Sequence, residues 1–223
     1  MKSRIVFLLL VFTTSLYAVP FDYLEPLKVD RNPDAWIYYQ PGTTEIVSES
    51  FDHRKGDTPQ LILKTRLTSA RTLYYVFFYP GPSTDPGFII DLDDNPDNGT
   101  FAMVPGEHLY LPGNGSVYVS QRFNQRYAQK RKHRVEKDGL SEVPQPFYGI
   151  NISTVTKASV TLFSDFEMTS VLANLPKEYP VTIFLEKNGK FLIQTEFGLV
   201  GWINVAEGYL EGVTFEEIFY CGD

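Results

Sequence analysis

Apolar and polar positions in this chain change over short distances, and Pro and Gly break the runs before a helical face can build up. Gln60 to Leu67 sets Leu61, Leu63, Thr65 and Leu67 against Gln60, Ile62, Lys64 and Arg66, which predicts a strand with one mostly apolar face. Leu73 to Tyr79 is a dense apolar and aromatic run that ends at Pro80-Gly81-Pro82. Further strands are predicted at Ala35–Tyr39, Glu45–Phe51, Phe88–Leu92, Phe101–Val104, His108–Leu111 and Ser116–Ser120. Pro41-Gly42, Pro105-Gly106 and Pro112-Gly113-Asn114-Gly115 turn the chain between them. Strands spaced roughly 8–12 residues apart with turn signals between them predict an antiparallel sandwich or barrel.

Residues 19–35 are Pro-rich and show no clear period. Residues 121–132 are polar and basic and predict a loop or one helical turn. Asp138-Gly139 between Lys132–Lys137 and Leu140–Val143 signals a two-residue hairpin. Pro144 and Pro146 then punctuate the chain, which places a domain boundary near Gly149. Beyond it, strands are predicted at Ser159–Phe163, Val171–Leu172, Pro180–Glu186, Lys190–Thr195 and Leu199–Ile203, with Asn188-Gly189 as a second hairpin turn. Val181, Ile183 and Leu185 share one strand face, and Phe191, Ile193 and Thr195 share another. A final strand is predicted at Phe215–Cys221, although Thr214 and Glu217 also fit a helix capping box.

The first eighteen residues follow a different logic. Lys2 and Arg4 precede an unbroken apolar run from Ile5 to Phe12, and Leu16-Tyr17-Ala18 offers a small residue at a cut. This is the pattern of a secretory signal peptide cleaved after Ala18. The apolar run is too short to cross ~30 Å of hydrocarbon, which takes about 20 residues. Export to a periplasmic or extracellular space, without stable membrane insertion after cleavage, is the expectation.

Composition narrows the function classes. The chain has 223 residues, is 43% hydrophobic and only 21% charged, so it has enough apolar surface for a packed core. Residues 19–120 carry 7 basic and 14 acidic residues, residues 121–149 carry 7 and 3, and residues 150–223 carry 4 and 10. Such an acidic chain is a poor nucleic-acid binder, because phosphate contacts need clustered Lys and Arg. Only the central segment, with Arg122, Arg126, Lys130, Arg131, Lys132 and Arg134, could attract a polyanion. On a solvated loop the same cations would instead pair with the acidic flanks.

A single Cys rules out a disulfide framework or thiolate metal cluster, and His53, His108 and His133 are too scattered to suggest a metal site. Asp91-Leu92-Asp93-Asp94-Asn95-Pro96-Asp97-Asn98-Gly99 gathers oxygen ligands, but Pro96 stands where an EF-hand needs Gly. The reading favoured there is a solvated acidic turn. No Gly-x-Ser-x-Gly, phosphate loop or dinucleotide fingerprint is present. No catalytic residue, metal site or cofactor is predicted.

Residues 158–204 resemble a bacterial SH3-like domain. The segments that carry the resemblance are Val160-Thr161-Leu162, Val171 to Lys177, Val181-Thr182-Ile183 and, above all, Gly198-Leu199-Val200-Gly201-Trp202-Ile203. The resemblance implies a small, strongly bent barrel in which Gly201 permits a close backbone approach and Trp202 caps an open end. The chain departs from the family pattern at the first turn, which reads Phe163-Ser164-Asp165-Phe166, and at Glu178, where the family carries Gly. It also carries Phe191 where the family often has Trp. Such domains accompany cell-wall enzymes and bind envelope polymers or peptides. A cysteine peptidase, the usual enzymatic companion, needs its His after its Cys, and here every His precedes Cys221. Leu111 to Ser120 and Gln145-Pro146-Phe147-Tyr148 resemble a group of exported bacterial proteins, which implies no activity.

The combined expectation is an all-β protein. A signal peptide (1–18) precedes an N-terminal antiparallel β-sandwich or barrel-like domain (19–149) and an SH3-like β-barrel with a final strand (150–223). The expected role is non-catalytic binding of a cell-wall polymer or envelope protein through Phe166, Tyr179, Trp202, Arg122, Arg126 and Arg131. Two alternatives are an envelope hydrolase with its site in the first domain and a structural subunit whose barrel packs on that domain.

Overall fold

The computed structural model describes residues 21–30, 32–47, 59–68, 73–80, 86–92, 101–121, 127–136, 139–205, 214–216 and 218. The signal-peptide pattern, Asp93–Gly99, Arg122, Arg126 and Cys221 lie outside these residues. The fold is all-β; among the described residues the only helical piece is a 3-10 turn at Pro41–Thr43. No described helix is long and apolar enough to cross a membrane.

Three sheets organise the chain. The first contains β1 (Glu25–Lys28), β2 (Trp36–Tyr39), β8 (His108–Leu111), β9 (Ser116–Gln121), β10 (Gln129–Glu136) and β11 (Gly139–Glu142), in the order β1-β2-β8-β9-β10-β11. The second is a meander of β3 (Thr44–Ile46), β4 (Gln60–Thr65), β5 (Tyr74–Tyr79), β6 (Gly87–Asp91) and β7 (Phe101–Pro105). One core joins these two sheets: Ile37, Leu109, Leu111 and Val119 from the first meet Leu63, Val76, Phe78, Phe88 and Ile90 from the second. This is a sandwich, as alternating burial within its strands requires. One pairing departs from the antiparallel rule, because β2 runs parallel to β8, with Trp36 opposite His108 and Tyr39 opposite Leu111. In β4, a register shift between Leu61 and Leu63 allows Ile62 to be buried alongside Leu63 and Thr65.

The third sheet contains β12 (Tyr148–Val155), β13 (Val160–Phe163), β14 (Val171–Leu175), β15 (Pro180–Lys187), β16 (Lys190–Thr195) and β17 (Val200–Asn204). Its order is β12-β15-β16-β17-β13-β14, and the described pairings leave β12 and β14 as edges. Its core takes Val181, Ile183, Phe191, Ile193 and Ile203, together with Leu162 and Leu175. A bulge between Ile183 and Leu185 sets Leu185 opposite Leu192 and leaves Leu185 only half-buried. Phe215 and Ile218 also enter this core, but the described bridges of Phe215 to Thr156 and Ile218 are isolated.

Three strands differ from expectation. β1 is a short edge strand containing Pro26, a position where Pro costs no ladder bond if its missing N–H faces solvent. β12 runs through the predicted boundary, and its pairing with β15 shifts register between Gly149 and Ile152, around Asn151 at φ 56°. The basic stretch predicted as a loop or helical turn is instead strand from Gln129 onward, paired with β9 and β11.

Two turns test the local chemistry. Asn188 and Gly189 take φ values of 50° and 73°, the pair of left-handed residues a tight hairpin needs. Glu178 also has φ 64°, while its N–H donates to the Thr156 carbonyl at 2.7 Å. A side chain in that region costs about 1–2 kcal/mol. Glu178→Gly is therefore expected to raise the thermal midpoint by about 2–4 °C; an unchanged or lower midpoint in a melting curve would show the turn to be unstrained.

Gly201 sits where β17 crosses β13. A Cβ there would stand 2.5 Å from the Phe163 carbonyl oxygen and 2.8 Å from Leu162 Cγ. Backbone cannot yield cheaply, so Gly201→Ala should cost about 1–3 kcal/mol in urea unfolding, the range of an overpacked core. A loss below about 0.5 kcal/mol would mean that β13 shifts freely.

Candidate ligand-binding face

The turn between β13 and β14 is held by its own aspartate. Asp165 Oδ1 accepts from the Thr169 N–H at 3.0 Å and the Thr169 hydroxyl at 3.1 Å, and Oδ2 accepts from the Ser170 N–H at 2.8 Å. The Thr169 amide bond, the largest effect, holds the Asp165 carboxyl below its usual range, against a smaller opposing effect of desolvation. Ser164 and Ser170 close the turn by a backbone bond of 2.9 Å. This turn holds Phe166, the residue that follows Asp165.

Phe166 meets Trp202 edge to face, with ring centroids 4.9 Å apart and planes at 83°. Trp202 lies opposite Phe163 on β13 and Leu192 on β16, half-buried on the face away from the core. Two lysines from the β15–β16 hairpin complete the group. Lys187 Nζ lies 4.8 Å and Lys190 Nζ 4.4 Å from the Phe166 ring centre, and Lys190 also donates to the Phe166 carbonyl at 2.7 Å. Neither lysine makes an ion pair among the described residues. The Asn-Gly turn is what brings them together, because Lys187 and Lys190 face each other across it.

The other predicted residues lie elsewhere. Tyr179 packs against the third sheet's core, and its N–H donates to Thr156 Oγ1 at 2.9 Å, so it does not join Phe166 and Trp202. Arg131 is committed within the chain. Its Nη1 donates to both Glu142 oxygens at 3.1 and 2.8 Å, its Nη2 donates to Gln129 Oε1 at 2.6 Å, and its guanidinium lies 4.6 Å from the Tyr148 ring centre. Tyr148 donates its hydroxyl to Glu142 at 2.8 Å, and Gln129 donates to Glu186 on β15. Arg131 thus joins β10, β11 and the start of β12, the intramolecular pairing that acidic flanks make available. Lys187 and Lys190 were not among the predicted residues; the signal that could have found them is a Lys on each side of an Asn-Gly turn. Among the described residues no group of His, Cys, Asp and Glu could hold a metal ion.

Compared with known proteins, the chain matches no family model, no curated protein and no solved structure.

Burial pushes the Glu142 carboxyl up, but hydrogen bonds from Tyr148 and Arg131, with the charges of Arg131 and His133, hold it below the usual carboxylate range. A lowered folded pKa contributes stability that is complete above the unfolded value of about 4.3 and is lost as pH falls through the folded one. Urea titrations of the protein and Glu142→Gln should therefore differ most near neutrality and converge below about pH 4. The same gap at both pH values would remove the carboxylate's charge from the account.

Proposed function

We propose that this chain is an exported, non-catalytic binding protein of the bacterial cell envelope, whose SH3-like C-terminal part holds an acidic stretch of an envelope polymer or peptide. The observation that carries this reading is the Phe166–Trp202 pair with Lys187 and Lys190 packed on it and no described carboxylate neutralising them. Aromatic edges supply apolar contact and two ammonium groups supply the counter-charge, so an extended anionic chain fits better than a neutral one. The signal-peptide pattern and the resemblance at Gly198–Ile203 support the envelope setting.

A structural role is favoured by a different observation. Tyr127, buried at the foot of β10, packs edge to face on Phe191 at 5.9 Å, within the third sheet's core. Those contacts tie the chain to itself and use none of the four residues of the face.

Co-sedimentation with purified cell-wall sacculi tests the proposal. The protein should pellet with sacculi at low salt, and Lys187→Met/Lys190→Met should weaken this by about fivefold or more with an unchanged far-ultraviolet spectrum. Equal pelleting of the double variant would leave the structural role as the better reading.

A further inference from the structure

The outer face of the first sheet carries a second arrangement, independent of the face above. Strand register aligns Tyr38, Tyr110, Tyr118 and Lys132 in one row across β2, β8, β9 and β10. The next row runs Trp36, His108, Ser120 and Lys130. The alternate positions Ile37, Leu109 and Val119 face the core, so these two rows must face outward.

The tyrosine row is unusually ordered for a surface. Tyr38 and Tyr110 stack with centroids 4.5 Å apart and planes within 7°. Phe21 then stacks on Tyr110 at 5.0 Å and meets Tyr118 edge-on at 4.9 Å. Beside this stack lies a cleft of about 440 Å³, lined by Phe21, Tyr110, Tyr118 and Val143 together with Lys130, Lys132 and Gln145. That volume accommodates a small oligosaccharide or similar ligand.

The polar groups in the cleft define its chemistry. Lys130 Nζ donates to Ser120 Oγ at 2.7 Å, and Lys132 Nζ lies 5.6 Å from the Tyr118 ring centre. Neither makes an ion pair among the described residues. Desolvation lowers the Lys130 pKa, against the opposing pull of the Glu107 charge. Gln145 Nε2 is taken by the Lys130 carbonyl at 2.7 Å, which leaves its amide oxygen for another donor. The hydroxyls of Tyr110 and Tyr118 have no hydrogen-bond partner among the described residues. Ring surfaces, free hydroxyls, an amide oxygen and two cations together match a molecule with apolar ring faces, many hydroxyls and a carboxylate.

We infer that this cleft is a binding site for an acidic sugar unit, with the ring against Phe21 and Tyr118 and the carboxylate held by Lys130 and Lys132. A fatty or aromatic carboxylate would satisfy the lysines but leave the tyrosine hydroxyls and the Gln145 oxygen without partners, which costs binding energy.

Isothermal titration of the full chain with a galacturonic-acid trimer and a hyaluronan tetrasaccharide tests the site. At least one of them should bind with one site per chain. A neutral galactose trimer and benzoate should bind more weakly by about tenfold or more. Lys132→Met should weaken the acidic probe by about tenfold while leaving the thermal midpoint in place. Lys187→Met/Lys190→Met should leave the affinity unchanged, which separates this cleft from the C-terminal face. The inference is overturned if neither acidic probe binds at about 5 mM. It is also overturned if the neutral trimer or benzoate binds as well, if Lys132→Met has no effect on a folded protein, or if affinity follows Lys187 and Lys190.

Discussion

The two halves of this chain meet along one strand of the first sheet. β10 pairs with β9 and β11 through its backbone, while three side chains on it or just before it look toward the third sheet. Tyr127 is buried in the third sheet's core, Gln129 reaches Glu186 on β15, and Arg131 lies on the ring of Tyr148. The Glu142 carboxylate and Gln129 supply acceptors for both Nη groups of this half-buried cation, while its Nε is buried with no partner among the described residues. Tyr148 is positioned by the same carboxylate, so the place where β12 begins is set by a charge pair on the preceding hairpin.

That arrangement also explains what could be read in advance. Strands such as β5 and β16 announce themselves because they are short apolar runs bounded by turns, and burial then alternates along them. β10 does not. One of its faces is polar because it lies open on the outside of the sheet, and the other is largely polar because it meets the third sheet through Gln129 and Arg131. A strand polar on both faces has no period to detect. The antiparallel pairing of β10 with β11 was legible because the signals of a hairpin are local, although Gly139 already pairs with Glu136 rather than standing in the turn, whereas the partner of Arg131 depends on which strands become neighbours.

The candidate face was partly legible for the same reason. Phe166 and Trp202 stand out as aromatics near loops, and the fold joins them. Tyr179 has the same composition signal and the opposite fate, because Thr156 draws its backbone toward the core. The lysines were invisible to a search for clustered charge, since residues 150–223 are acidic as a whole and hold only 4 basic residues. Two of those four meet at one ring, and local concentration rather than segment total decides what a surface attracts.

The side-by-side placement of β2 and β8 has a kinetic consequence. The whole meander of β3 to β7 is an excursion made between two strands that end as neighbours. Within the excursion each strand pairs with the next in the chain, so closures there are short and can form early. The seam between β2 and β8 can zip only after residues 40–107 have been gathered in, and the entropy of closing so long a loop falls on four paired residues. Assembly of the first sheet is thereby made to wait for the second. A chain emerging N-terminus first as it is made would hold β2 without its parallel partner until β8 arrived.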